Sequence, residues 1–220
     1  KEAIAKHTVD FRQWETAPAD TAVQHSADAA RPYYTRASAL KTFEMYEPAR
    51  KEIEEALKVH PAYVEAFVLE AQILQYAQKA DKALDALKQA LKYSPRNISI
   101  MNDTAFAYEN LNNFDSAISL SQKMIAQAPR DPRGHFVLSK MLARKQHYKE
   151  SYAALVEASE RGLKENNFMA MVDLLYSQKA YGWAKKACQL ALDNKKEDKD
   201  LLRKLELIEE TEKNNTDMAF

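Results

Sequence analysis

EEALKVHP at residues 54–61, KQALKYSP at 88–95 and QKMIAQAP at 122–129 each close on a proline, and Pro61, Pro95 and Pro129 recur at a step of 34 residues. Aligning the chain on these prolines brings further residues into register. Ala56, Ala90 and Met124 fall together, as do Ala49, Ala83 and Ala117, Tyr46, Ala80 and Phe114, and Tyr33, Phe67 and Met101. A period of this length signals a supersecondary unit that is stacked on copies of itself. Past residue 130 the closing proline disappears but the register continues. His135, Leu142, Tyr148, Ser151, Leu155 and Ala158 make a fourth copy. Phe168, Leu175, Tyr181, Ala184, Cys188 and Ala191 make a fifth, one residue short in phase.

Each copy holds two helical patterns. At 100° per residue Phe67, Glu70, Ala71 and Leu74 share one arc, and Ala83, Leu87, Ala90 and Leu91 share another. Neither stripe can be buried by one helix, so the pairs must stack. Ala at the crossings lets the backbones approach, and the aromatics fill the space between pairs. Composition agrees: of 220 residues only 3 are Gly, and Ala, Leu, Lys, Glu and Gln dominate. These are strong helix formers, and turns needing positive φ must use other residues. Pro48 is tolerated in a first helical turn. Gly162 followed by Leu163 reads as a helix stop with an apolar contact behind it.

The 34-residue period, with an early aromatic, Ala in the middle, Ala again and a closing Pro, resembles the tetratricopeptide repeat over roughly residues 30–197. The resemblance implies an all-α, right-handed superhelical solenoid of antiparallel helix pairs. Its repeats would be 30–63, 64–97, 98–131, 132–164 and 165–197. There are departures. The family's first-helix Gly is replaced by Ala37, Ala71, Ala105, Ser139 and Val172, of which Val172 should push the fifth pair apart. The usual large apolar residue after the first aromatic is replaced by Arg36, Glu70 and Thr104.

Residues 198–213 follow the repeats with Leu201, Leu202, Leu205 and Ile208 on one stripe, the pattern of a capping helix, and 214–220 read as a frayed tail. Residues 1–29 show no repeat and read as a tether with a helical lead-in from Asp20. Its isolated Phe11 and Trp14 could dock on the repeats. The chain starts at Lys1 without an initiator methionine or apolar signal core. It therefore reads as processed or truncated, which favours an exported, periplasmic or lipid-anchored location over a cytoplasmic one.

Stacked pairs leave one face of each first helix free. On the second copy this face holds Val68, Gln72, Gln75 and Tyr76. Its equivalents are Tyr34, Ser38 and Lys41; Asn102, Phe106, Glu109 and Asn110; Phe136, Lys140 and Arg144; and Met169, Asp173 and Tyr176. The resemblance implies that this face is a concave groove gripping a peptide or partner protein, centred on repeats two to four. Aromatics supply contact area and amides can bond an extended backbone. The competing reading makes several of these aromatics second-layer core. The family's Lys/Asn clamp for a terminal carboxylate is absent, since those positions hold Tyr34, Ser38, Leu69 and Asn102. Charge reversal at Lys140 and Arg144, or Tyr76→Ala with Phe106→Ala, is expected to weaken partner binding without unfolding.

Other functional classes find little support. Lys plus Arg and Asp plus Glu both number 32, leaving no basic stripe for nucleic acid and no polybasic membrane anchor. No run approaches the ~18 apolar residues of a membrane span. His7, His25, His60, His135 and His147 show no metal-ligand spacing. His135 sits at the aromatic packing position and Cys188 at an apolar one. The adjacent pairs Glu54/Glu55 and Glu209/Glu210 diverge on a helix and cannot form an acid–base dyad. The matches to the N-glycosylation pattern at Asn97, Asn102 and Asn214 read as chance. The expectation is a scaffold or adaptor with no cofactor, no metal and no catalysis. The alternatives are a self-associating assembly module or the repeat portion of a larger enzyme.

Overall fold

Every first helix must stop and reverse within three residues, and it does so the same way five times. Glu44, Gln78, Asn112, Gln146 and Lys179 adopt φ of 59°, 56°, 54°, 63° and 60°. The residue after each donates its N–H back to a carbonyl five positions earlier: Met45 to Leu40, Lys79 to Leu74, Asn113 to Tyr108, His147 to Leu142 and Ala180 to Leu175, all at 2.9 Å. This is the Schellman closure, in which a left-handed residue satisfies the last free carbonyls of a helix. Non-glycine residues bear a cost of roughly 1–2 kcal/mol in that region, which the paired hydrogen bonds offset. The second helices end differently. Three of them run into the X-Pro steps at His60, Ser94 and Ala128, where proline keeps the preceding residue out of the helical region. The fourth has no proline and closes on Gly162 at φ 80°, with Leu163 buried behind it.

The computed structural model describes residues 19–194 and 198–217. Among these are eleven helices and no strand: α1 (Ala19–Thr42), α2 (Tyr46–Val59), α3 (Val64–Tyr76), α4 (Ala80–Tyr93), α5 (Ile98–Asn110), α6 (Phe114–Gln127), α7 (Pro132–Arg144), α8 (Tyr148–Glu160), α9 (Glu165–Ser177), α10 (Tyr181–Asn194) and α11 (Lys199–Asp217). The fold is an all-α helical repeat. α1 begins within the stretch whose sequence reads as a tether. Phe11 and Trp14 lie outside the described residues. α11 continues to Asp217, through residues whose sequence reads as a tail. N-terminal caps mark several starts: the Asn97 side chain accepts from the N–H of Ser99 and Ile100, Asn113 from Ser116 and Asp131 from Arg133. Asn97 is thus employed as a cap.

The chain divides into two units, one ending at Pro95 and one beginning at Arg96. In the first, α1–α3 pack around Ala37, Ala49, Ile53, Ala56, Ala66, Leu69 and Ile73, with Tyr33, Tyr34, Tyr46 and Tyr63 at the margin, and α4 packs on α3. In the second, one cluster joins Ala105, Ala117, Val137 and Met141. A larger one runs from Phe136 and Leu155 through Phe168, Met171, Val172 and Leu175 to Cys188, Leu201 and Ile208. The five crossing positions of the first helices (Ala37, Ala71, Ala105, Ser139 and Val172) are all buried, as are their partners Ala49, Ala83, Ala117, Ser151 and Ala184. In the fourth pair both crossing residues are serine, and they satisfy each other: Ser139 Oγ donates to the Ser151 carbonyl at 2.7 Å, and Ser151 Oγ donates to the Ser139 carbonyl at 2.8 Å. A small residue with a hydroxyl is tolerated here because every buried donor finds an acceptor.

α11 packs on α10 and on α9. Leu201 and Ile208 are buried, and the Cys188 thiol donates to the Leu201 carbonyl at 3.1 Å. Burial pushes the Cys188 thiol up to about 11, so it stays protonated and unreactive at neutral pH. Leu202, assigned by the sequence pattern to the same stripe, is 40% exposed because it sits 100° around the helix from Leu201.

His135 occupies the aromatic position of its repeat, half-buried, and its Nε2 is buried with no partner among the described residues. Burial first, and the Arg161 charge second, lower its pKa below the ordinary histidine value. A base whose folded pKa is depressed takes its proton more readily when unfolded. Its contribution is therefore intact above the unfolded value and is lost as pH falls through it. His135→Phe, which restores the aromatic found at Phe67 and Phe168, should flatten the fall in Tm between neutral pH and about pH 5. Parallel acid-side melting curves for the two proteins would refute this assignment.

Candidate functional site

Consecutive first helices lie side by side within each unit, α1 beside α3 in one and α5, α7 and α9 in the other. Their bridging side chains are polar. In the first unit Lys41 Nζ donates to Gln72 Oε1 at 2.5 Å, joining α1 to α3. In the second unit Glu109 of α5 receives two cations from α7: Lys140 Nζ donates to Oε2 at 2.8 Å and Arg144 Nε to Oε1 at 2.9 Å. Lys41–Gln72 and Glu109–Lys140 use the same two repeat positions. α9 and α11 are bridged by Lys204 Nζ to Asp173 at 2.6 Å and by the hydroxyls of Tyr176 and Thr211 at 3.1 Å. Lysines also lie over rings on these faces, Lys140 over Phe106 at 4.8 Å and Lys204 over Tyr176 at 4.7 Å.

These bridges correct part of the free face read from the sequence. Glu109 has a side chain only 6% exposed and stands beneath its two cations, not out in solvent. Phe136 is 5% exposed and belongs to the core, with Phe106 packed partly against the same cluster. The helical wheel places these residues off the first packing stripe. It cannot show that a neighbouring first helix covers a second stripe. The other side chains of that face fall in two groups. Tyr76, Asn110, Arg144 and Asp173 are exposed, whereas Tyr34, Ser38, Lys41, Val68, Gln72, Gln75, Asn102, Lys140, Met169 and Tyr176 are half-buried. Tyr34 leans on Tyr63 with ring centroids 5.4 Å apart. Between α9 and α11 a cleft of about 230 Å³ is lined by Met169, Asp173, Asp200, Arg203, Lys204 and Leu207.

The family model described as the tetratricopeptide repeat matches residues 74–145. Residues 74–145 thus carry the tetratricopeptide repeat pattern. Solved structures agree on the fold. TTC0263, a thermophilic tetratricopeptide protein of Thermus thermophilus, is 19% identical with a TM-score of 0.60, over 81% of this chain and 98% of that one. A tetratricopeptide repeat protein from Parabacteroides merdae is 15% identical with a TM-score of 0.67, over 87% of this chain and 77% of that one. YrrB, described as a tetratricopeptide protein with an unusual peptide-binding site, is 16% identical with a TM-score of 0.57, over 84% of this chain and 95% of that one. No curated protein matches the chain.

The helical repeat also carries features that sequence reasoning missed. Lys204, Arg203 and Leu207 enter the α9 face from α11, which the sequence pattern marks only as a cap. The signal was present in the spacing: Lys204 follows Asp173 by 31 positions, the same interval that separates Glu109 from Lys140. Phe43 and Met45, flanking the first left-handed turn residue, are exposed by 75% and 48%. Among the described residues no helix is long and apolar enough to cross a membrane, and no cluster of three or more His, Cys, Asp or Glu could hold a metal ion.

Proposed function

We propose that this tetratricopeptide repeat protein is a non-catalytic scaffold that holds a peptide segment, or part of a partner protein, on the faces of its first helices. Tetratricopeptide proteins are in general interaction scaffolds, and the peptide-binding site attributed to YrrB lies on a similar fold. One observation carries the reading. The buried positions repeat in kind from copy to copy, while the lining positions do not: Ser38, Gln72, Phe106, Lys140 and Asp173 stand at one position, and Thr42, Tyr76, Asn110, Arg144 and Ser177 at another. Packing needs uniformity between copies. Non-uniform side chains held in place by bridges between helices are what a recognition surface needs. Exposed Asn110 and half-buried Asn102 on α5 offer amides to an extended backbone, beside the Phe106 ring.

A photo-reactive amino acid at Asn110, compared with one at exposed Lys123 on α6, tests this in the source organism. The same partner should be captured from Asn110 and not from Lys123. Equal capture from both positions, or capture from Lys123 alone, rejects the first-helix face.

A further inference from the structure

Phe43, Met45 and Tyr76 are the most exposed large apolar side chains of the first unit, at 75%, 48% and 66%. They gather at one end of that unit, where α1 turns into α2 and α3 stops. The fold does not ask for them there. At the turn positions of Phe43 and Met45 the other pairs carry Ala77 and Lys79, Leu111 and Asn113, Lys145 and His147, and Gln178 and Ala180. At the position of Tyr76 they carry Thr42, Asn110, Arg144 and Ser177, all polar. The Tyr76 ring stacks on Tyr46 with centroids 5.8 Å apart and planes within 11°. A stacked aromatic ledge next to exposed Phe and Met side chains is suited to an inserted aromatic or aliphatic anchor.

The charge around the ledge selects what accompanies the anchor. Lys41 has its ammonium 5.9 Å from the Tyr76 ring and bonds a neutral amide, Gln72. At the same position two repeats on stands Glu109, whose charge is cancelled by Lys140 and Arg144. Lys41 meets no carboxylate among the described residues, and neither does Lys79, three residues past Tyr76. Exposed Glu44 lies beside Tyr46, and exposed Glu47 and Asp81 stand in the first turns of α2 and α4. Lys41 thus brings to the ledge a positive charge that pairs with no carboxylate among the described residues.

We infer that the Phe43–Met45–Tyr76 ledge captures a segment of a partner protein in which an aromatic or aliphatic anchor lies next to a carboxylate. The inference rests on the scaffold reading above and names the partner chemistry for one stretch of it. The carboxylate sits by Lys41 and the anchor on the Tyr76 ring. The apolar contact holds the segment and the charge selects it.

Panning a random peptide display library on the full chain tests this, with Phe43→Ser/Met45→Ser and Lys41→Glu as parallel baits. The substituted side chains are exposed or bonded only to Gln72 and the Tyr76 ring, so unchanged melting temperatures verify the baits. Wild type should enrich peptides pairing an aromatic or aliphatic residue with Asp or Glu. The Phe43→Ser/Met45→Ser bait should bind the enriched peptides at least about tenfold more weakly, and Lys41→Glu should turn the selection towards Lys and Arg. Enrichment that survives both baits, or no enrichment, overturns the inference while leaving the Asn110 capture experiment to judge the scaffold reading separately. Light scattering supplies the remaining arm. If wild type self-associates and Phe43→Ser/Met45→Ser does not, the ledge is an interface between copies and the peptide assignment falls.

Discussion

Charge reversal of Lys140 and Arg144 together is expected to destabilise the second unit by about 3–5 kcal/mol, the range seen when a buried charge loses its partner. Glu109 has a 6% exposed side chain, and the ammonium and guanidinium nitrogens lie 2.8 and 2.9 Å from its carboxylate oxygens. Lys140→Glu with Arg144→Glu would replace both cations by carboxylates around a third that cannot reach water. The sequence treats these two residues as solvent-facing groove cations whose reversal affects binding alone. The structure makes them structural as well, so lost binding in that variant would report unfolding. Urea denaturation of the double variant checks the size of the effect. The mechanism is isolated by the triple variant Glu109→Leu/Lys140→Met/Arg144→Leu, which removes every charge at once and should recover most of the stability. If the triple variant were no more stable than the double, unpaired charge would not be the cause.

Phe168→Ala is expected to cost about 3–5 kcal/mol, the range for truncating a fully buried aromatic. Phe168 is 1% exposed and packs in the core cluster that joins α9 to α10 and α11. Phe67 holds the equivalent position in the second copy, yet it is half-buried and stacks on Tyr93, itself 43% exposed, at 6.1 Å. Solvent can fill part of the space that Phe67 leaves, so Phe67→Ala should cost no more than about 2 kcal/mol. Thermal melts of the two variants decide the matter. Equal costs would mean that repeat register, and not local burial, sets the energy.

That contrast shows how far the sequence carries. The register of Ala49, Ala83 and Ala117 against Pro61, Pro95 and Pro129 is a local property of the chain, and helical periodicity converts it directly into pairs of helices with small residues at the crossing. All the crossing residues named from that register are buried, including Ser139 and Val172 where the family pattern has Gly. The scarcity of glycine likewise announces turns built from other residues, and Glu44, Gln78, Asn112, Gln146 and Lys179 supply them.

The candidate face is only partly legible in the sequence. A single-helix wheel identifies which side chains lie off the packing stripe, and Tyr76 and Asn110 do stand in solvent. It says nothing about the next first helix, which arrives 31 to 35 positions later. On the wheel Glu109 is free, but in the fold Lys140 and Arg144 close over it. Phe136 reads as lining, but the core of the second unit absorbs it. The same blindness hides Lys204, which bridges to Asp173 from a helix expected only to cap the end.

By itself, then, the sequence determined the all-α repeat, its period and the positions at which helices cross, because those follow from spacing along one chain. Only the tertiary structure decided which of the remaining polar and aromatic residues are spent on bridging neighbours and which stay available. That depends on distances between helices whose bridging residues lie about thirty positions apart. There, two added cations can bury a carboxylate, and one absent carboxylate leaves Lys41 with only a neutral amide and a ring.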